Sequence, residues 1–283
     1  MTDKIIALVD GSVYSTSVCE NAAWISGRTG AAVELLHVLG RRETPTSDLS
    51  GSIGLGARTE LLAELSALDE QRARLAQKRG RAIIEDAEAA LKGAGVETVT
   101  ARLRSGDLLE TVSEAEADAS LIVIGKRGEA ADFARLHLGS NLERIVRSSR
   151  KPVYVAARAF RPISKVLIAF DGGQSALKAV DHVARSALFS GLDVRLLTVG
   201  AENVEARRRL EAAQATLKAG DHSAAADLLP GQPDRVITET VERDGIDLLV
   251  MGAYGHSRIR SLIIGSTTAE MIRSCRIPVF LFR

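Results

Sequence analysis

The stretch Asp247-Leu-Leu-Val-Met-Gly252-Ala253-Tyr-Gly255-His256, followed after a further eight residues by Gly265-Ser266-Thr267-Thr268, decides how this chain is read. Leu248 to Met251 is apolar throughout instead of alternating, as a strand covered on both faces should be, and that implies a parallel sheet with helices on both sides. Ser and Thr after Gly265 are good N-caps, so a helix should start there and its free backbone N–H groups would cluster at the turn, a geometry that suits an anion. Glycine at 252 and 255 lets the backbone pass close to a bulky phosphate-ribose group and permits positive φ. Hydroxyls at Ser266 and Thr267 add donors. A helix dipole supplies only about 0.3–1 kcal/mol at an exposed end, so several directed hydrogen bonds must act together. His256 has two readings, a phosphate contact or an exposed loop residue.

The same pattern occurs twice. Lys4-Ile-Ile-Ala-Leu-Val-Asp10-Gly11-Ser12 matches Lys165-Val-Leu-Ile-Ala-Phe-Asp171-Gly172-Gly173, and Leu121-Ile-Val-Ile-Gly125-Lys126-Arg127-Gly128 matches Leu248 to Gly255. In the first copy ten residues, not nine, separate Gly128 from Gly139-Ser140-Asn141. Each copy closes on a short Pro-led strand, Pro152–Ala156 and Pro278–Phe282. The expected strands are Lys4–Val9, Ala32–Val38, Glu97–Arg104, Ser120–Gly125 and Pro152–Ala156, then Lys165–Phe170, Asp193–Val199, His222–Leu229, Asp247–Gly252 and Pro278–Phe282. The fold class that follows is α/β, two fused doubly wound domains with five-stranded parallel sheets, spanning 1–158 and 163–283. Doubly wound sheets bind ligands at the carboxyl ends of strands where strand order reverses, and the Asp-Gly and glycine motifs occupy those ends.

The first copy is longer by an insertion at about 40–92. Gly40–Gly56 reads as a mobile loop, and Ala57–Leu91 as a helix on which Leu61, Leu65, Leu68 and Leu75 form one apolar stripe. A shorter helix is expected near Val204–Lys218. There Arg207, Arg208 and Arg209, beside Glu202, Glu205 and Glu211, read as a solvated salt-bridged face.

Composition narrows the function. Lys plus Arg total 37 against 36 Asp plus Glu, so no overall field draws nucleic acid or an anionic membrane, and an anion must be bound locally. Aromatic residues at 4% leave few stacking platforms for single-stranded nucleic acid. No apolar run approaches the length of a membrane span, the N-terminus is unlike a signal peptide, and the cytoplasm is the expected location. Cys19 and Cys275 lack metal-ligand spacing and read as buried small hydrophobes. His37 reads as a satisfied core or strand-end residue. Asp10 and Asp171 admit two compatible readings, turn caps or ligand contacts, while Ser12 and Ser175 read as caps. Neither a Walker-type loop, a nucleophile elbow nor a clustered catalytic set is recognisable.

With these motifs the chain resembles a tandem member of the universal stress protein (UspA-like) family. That family's hallmark is Gly, two residues, Gly, nine residues, Gly, then Ser or Thr, closing a Rossmann-like domain of the adenine nucleotide α-hydrolase-like group. The resemblance implies ATP as ligand, with or without Mg2+. In the second copy Gly252, Ala253, Gly255, His256, Gly265, Ser266 and Thr267 would surround phosphates and ribose. Asp171 would lie near the ribose or a phosphate-bound divalent ion, and Val199 against the adenine. The counterparts in the first copy are Asp10, Val38, Gly125, Lys126, Arg127, Gly128, Gly139, Ser140 and Asn141, with Lys126 and Arg127 adding positive charge. The resemblance further implies a stress-response regulator or sensor with at most slow ATP hydrolysis. Alternatives are an ATP-splitting enzyme of the wider group and a nucleotide-free interaction scaffold. The copies should pack about a pseudo-two-fold axis through their last strands. Homodimerisation through another face stays open, and the insertion is the expected surface for an unknown protein partner.

Overall fold

The computed structural model describes residues 3–40, 55–128, 140–253 and 265–283. Its strands are β1 Lys4–Leu8, β2 Ala32–Gly40, β3 Val99–Gly106, β4 Leu121–Gly125, β5 Val153–Ala156, β6 Lys165–Ala169, β7 Asp193–Val199, β8 Ala225–Leu229, β9 Leu248–Gly252 and β10 Val279–Phe282. The helices between them are α1 Tyr14–Thr29, α2 Leu55–Gly93, α3 Leu108–Ala115, α4 Ser140–Ser148, α5 Gln174–Arg185, α6 Val204–Ala219, α7 Pro233–Asp244 and α8 Ser266–Ser274. The loop expected at Gly40–Gly56 falls, from 41 to 54, outside the described residues.

All strands lie in one ten-stranded sheet of order β3-β2-β1-β4-β5-β10-β9-β6-β7-β8. Each half is parallel and runs in the same relative order. The halves meet in an antiparallel pair, β5 with β10, in which Phe280 faces Tyr154. The expected pairing of the Pro-led strands is therefore what joins the repeats. Strand order reverses between β1 and β4 and again between β6 and β9, so the carboxyl ends at Asp10/Gly125 and Asp171/Gly252 are the two switch points.

The apolar runs explain which strands are central. Ile5, Ile6 and Ala7 of β1 and Leu248, Leu249 and Val250 of β9 are fully buried. Alternate residues enter opposite core layers, Ile5 and Ala7 on one face and Ile6 on the other, and each layer draws on both halves. The two cores are thus continuous across the joint. Strands nearer the edges were less legible: β3 lies two residues later than expected, after a turn at Gly95 with φ +84°, and β8 begins at Ala225. His222, expected to open that strand, instead sits buried in the preceding turn with Nε2 3.0 Å from the Val183 carbonyl.

Tyr154 is fully buried and its hydroxyl donates to Asn21 Oδ1 at 2.7 Å. On the same side the His182 ring lies 5.0 Å from Phe282 and 5.7 Å from Phe280, between centroids. Burial lowers its pKa, with Asp181 and Asp3 opposing. A lowered folded pKa means that the unfolded chain binds the proton more readily, so the stability contributed by neutral His182 is present above its unfolded pKa of about 6.5 and is lost as pH falls below it. We expect the midpoint of urea unfolding to drop between pH 7 and pH 5, and the drop to shrink in His182→Gln; an equal drop in both proteins would remove His182 as its source.

Other expectations hold. Cys19 and Cys275 are buried and unpaired, and burial pushes the Cys19 thiol up to about 11. His37 Nδ1 is bonded to the Val9 carbonyl at 2.7 Å. Arg207 pairs with Glu202, and Arg209 with Glu205 at 2.8 Å. Among the described residues, no helix is long and apolar enough to cross a membrane.

Candidate functional site

Each first strand ends in an aspartate that organises the turn into the next helix. Asp171 Oδ1 accepts from the Gly173 N–H at 2.8 Å, with Gly172 at φ +76°. Asp10 Oδ1 accepts from the Ser12 N–H at 3.0 Å and from the Ser15 hydroxyl at 3.3 Å. Ser15 Oγ in turn accepts the Asp10 and Gly11 N–H groups at 3.2 and 3.0 Å. The turn-capping reading of both aspartates is therefore realised. The capping expected of Ser12 and Ser175 is not realised: the Ser12 hydroxyl accepts from the Tyr14 N–H at 3.3 Å but stands one residue ahead of the N-cap Val13, and Ser175 lies inside the first turn of α5, whose N-cap is Gly173.

The strand-end glycines have a packing role that the sequence did not disclose. A Cβ on Gly252 would lie 2.9 Å from Ser175 Cβ, and one on Gly125 would lie 2.7 Å from Tyr14 Cβ. Ser175 and Tyr14 both stand four residues after the aspartate, so glycine at the strand end is what lets the first turn of α5 or α1 close on the sheet. Gly128 completes the assembly in the first half, because a Cβ there would meet Asp10 Oδ2 at 2.8 Å. The second glycine of the motif and the Asp of the first strand are thereby brought into contact. Gly255, His256 and Gly139 lie outside the described residues.

Opposite the aspartate in the second half, α8 begins where the Gly-Ser pair placed it. The Gly265 N–H donates to the Ala253 carbonyl at 3.3 Å, and the Thr268 hydroxyl donates to the Gly252 carbonyl at 3.0 Å. These two bonds fasten the helix start to the end of β9. Thr268 is buried, Thr267 half-buried and Ser266 exposed, so the anchoring hydroxyl is one that the sequence reading passed over. Gly265 offers no side-chain cap. The N–H groups of the first turn therefore have no intrahelical partner and lie at the positive end of the helix. In the first half α4 starts at Ser140, with Asn141 exposed. Val38, two residues before the end of β2, and Val199, which ends β7, occupy equivalent positions, half-buried against the second core layer.

Lys126 goes elsewhere than its place beside the glycines implied. Its Nζ donates across the joint to the Cys275 carbonyl at the end of α8. Burial is the main cause that lowers its pKa, to about 8, with Arg127 adding and Cys275 opposing. Around it opens a cleft of about 740 Å³ lined by Lys126, Arg127, Arg158, Arg161, Arg273 and Arg276, with Asp247 as the carboxylate. Asp247 Oδ2 is occupied by Ser164 N–H, Ser164 Oγ and Lys165 N–H, each at 2.9 Å. Burial works against its charge, but those donors outweigh it and hold the pKa below the usual range. The cleft thus presents an excess of positive charge beside the Gly125–Gly128 turn, in a chain whose net charge is only +1.

A model of the Universal stress protein family matches residues 1–157 and 200–283. A universal stress protein of Synechocystis is 38% identical over 285 residues, covering 99% of both chains. Among solved structures, a universal stress protein from Archaeoglobus fulgidus superposes with a TM-score of 0.76 at 20% identity, covering 100% of this chain and 99% of that one. A putative universal stress protein from Pseudomonas aeruginosa gives 0.63 at 15%, covering 99% and 93%.

Proposed function

Since this chain belongs to the universal stress protein family, we propose that it binds an adenine nucleotide, ATP foremost, at the carboxyl ends of its strands, and acts as a cytoplasmic stress-response regulator whose conformation or partner choice follows occupancy. The observation that carries this reading is the start of α8, where Gly265 supplies no side-chain cap and which Gly265 and Thr268 fasten to the end of β9. Phosphate oxygens there would accept the N–H groups of Ser266 and Thr267 and both hydroxyls, with Gly255 and His256 completing the loop. Asp171 and Val199 would face ribose and adenine. In the first half, residues 1–158, Asp10, Val38, the Gly125–Gly128 turn, Gly139, Ser140 and Asn141 take the same ligand, and the cationic cleft compensates for the longer loop. The second unit is 163–283. Mg2+, where bound, would enter with the phosphates, with Asp171 beside it or beside the ribose.

The test is titration calorimetry with ATP, with and without Mg2+, after stripping nucleotide from the purified chain and identifying it. Ser266→Glu places a carboxylate against the phosphates, and like charges so juxtaposed cost several kcal/mol. We expect affinity at the second-half site to fall at least about 100-fold, with no loss of thermal stability, because Ser266 is exposed and an acidic residue suits a helix start. Asn141→Glu should abolish the first-half site alone. Unchanged binding in both variants would refute the assignment. Equal ADP release by wild type and the double variant marks a regulator; release lost with binding marks an enzyme.

A further inference from the structure

The cleft at the joint collects its charge from three separate stretches of chain. Lys126 and Arg127 follow β4, Arg158 and Arg161 lie on the segment between β5 and β6, and Arg273 and Arg276 stand at the end of α8. The first two are half-buried and the other four exposed. Neither half assembles the set alone, because the antiparallel pairing of β5 with β10 is what brings the end of α8 beside the end of β4. Among the described residues the lining sets one carboxylate, Asp247, against six cations, and its Oδ2 already holds three donors at 2.9 Å. Arg273 pairs with Glu270, while among the described residues no carboxylate pairs with Lys126, Arg158, Arg161 or Arg276.

Helix-end chemistry explains only part of this. Cations suit the carboxyl end of α8, and Lys126 bonds the Cys275 carbonyl there, but such an end carries only about half a negative charge. Half a charge cannot balance the set, and like charges gathered without an anion raise the energy of one another. Burial, and then Arg127, work against the charge on Lys126; an anion in the cleft would favour it. The shape and the residue types select the anion. A space of about 740 Å³ is far more than one phosphate needs and lies within the usual range of small-molecule pockets. Five of the six cations are arginines, whose planar forks match phosphate oxygens two at a time. Tyr14 is the one aromatic ring among the described lining residues, so bases find little to stack on. A chain of linked phosphates carries charge on every unit at close spacing, a density that carboxylates on peptide side chains do not match.

We propose that this cleft binds an oligophosphate, a chain of three or more linked phosphate groups, gripped by Arg158, Arg161 and Arg276 with Lys126 and Arg127 beside them. The site does not depend on nucleotide binding at the strand ends. Its test is titration calorimetry with sodium tripolyphosphate on the stripped full chain carrying Ser266→Glu and Asn141→Glu, which close the proposed nucleotide sites to phosphate. One tripolyphosphate should bind per chain. Adding Arg158→Ala, Arg161→Ala and Arg276→Ala should weaken it at least about 100-fold, through the loss of three sets of charge-assisted donors. The circular dichroism spectrum should not change, because all three side chains are exposed. Lysine at the same three positions should recover only part of the affinity, since an ammonium lacks the fork. Two sources of the chain are separable in the wild type. Tripolyphosphate that binds with ATP already in place marks free polyphosphate. Adenosine tetraphosphate that binds more tightly than ATP, with the gain lost in Asn141→Glu and in the triple alanine variant, marks the tail of the first-half nucleotide. Either result puts phosphates in the cleft. No binding to the closed-site chain together with no gain for the tetraphosphate overturns the proposal, as does binding that the three alanines leave unchanged. So does orthophosphate that competes at equal concentration, the mark of general anion attraction, or hexaglutamate that binds as tightly, which would give the cleft to an acidic peptide.

Discussion

Replacing Phe280 with alanine is expected to lower the unfolding free energy by about 3–5 kcal/mol, a large fraction of the 5–15 kcal/mol that is typical of folded domains. Phe280 is fully buried at the centre of β10, opposite Tyr154 across the joint. Its ring centroid lies 4.7 Å from Phe282, 5.6 Å from Tyr154, 5.7 Å from His182 and 6.3 Å from Phe189. Deleting it removes apolar contact from both halves at once, and the surrounding strands are too closely bonded to collapse into the space. Urea unfolding checks this: the midpoint should fall by the stated energy divided by the slope. The wild type should unfold in one transition because its core layers cross the joint, and the variant should begin to separate into two. A loss below about 1 kcal/mol would mean that the two halves are merely tethered.

How far the sequence disclosed this arrangement depended on whether a local pattern or a distant neighbour decides the matter. IIAL, LIVI and LLVM could be placed as central strands because burial on both faces leaves an uninterrupted apolar run. β3, exposed and intermediate by turns, offered no such run, and its expected boundary slipped by two residues. The joint was legible from its Pro-led strands. Its consequence for Lys126 was not, because only the antiparallel pairing of β5 and β10 carries the end of α8 to that side chain. In the Ser-Thr-Thr run, the phase of α8 selects Thr268 to anchor β9, and adjacent hydroxyls look alike in a sequence. Gly252 and Gly125 read as room for a ligand; the structure fills part of that room with the first turn of the next helix. Glycine can serve both, since the turn of the next helix approaches only one side of the strand end. The leucine stripe on α2 was visible as a period, but its direction relative to the sheet is fixed by Gly80 and Ile84 further along.

Gly220 poses the same problem in its sharpest form, and we expect Gly220→Ala to cost about 3 kcal/mol or more. In the sequence it is an ordinary helix-ending glycine, and its backbone angles, φ −93° and ψ 22°, are open to alanine. What alanine cannot do is find space: its Cβ would lie 2.1 Å from the Ala184 carbonyl oxygen and 2.9 Å from Ala184 Cα. Those atoms belong to the α5 backbone, so no rotamer change relieves the overlap, and α6 must move away from α5. That shift would also disturb the buried His222, whose ring nitrogen bonds the neighbouring Val183 carbonyl. Gly27 supplies the control. It lies in α1 with nothing within 4 Å of a built Cβ, and Gly27→Ala should raise stability by about 0.5–1 kcal/mol through helix propensity. Measured by urea unfolding, the two identical substitutions should move the midpoint in opposite directions. A Gly220→Ala protein as stable as wild type would show that the α5–α6 contact is looser than its atomic distances require.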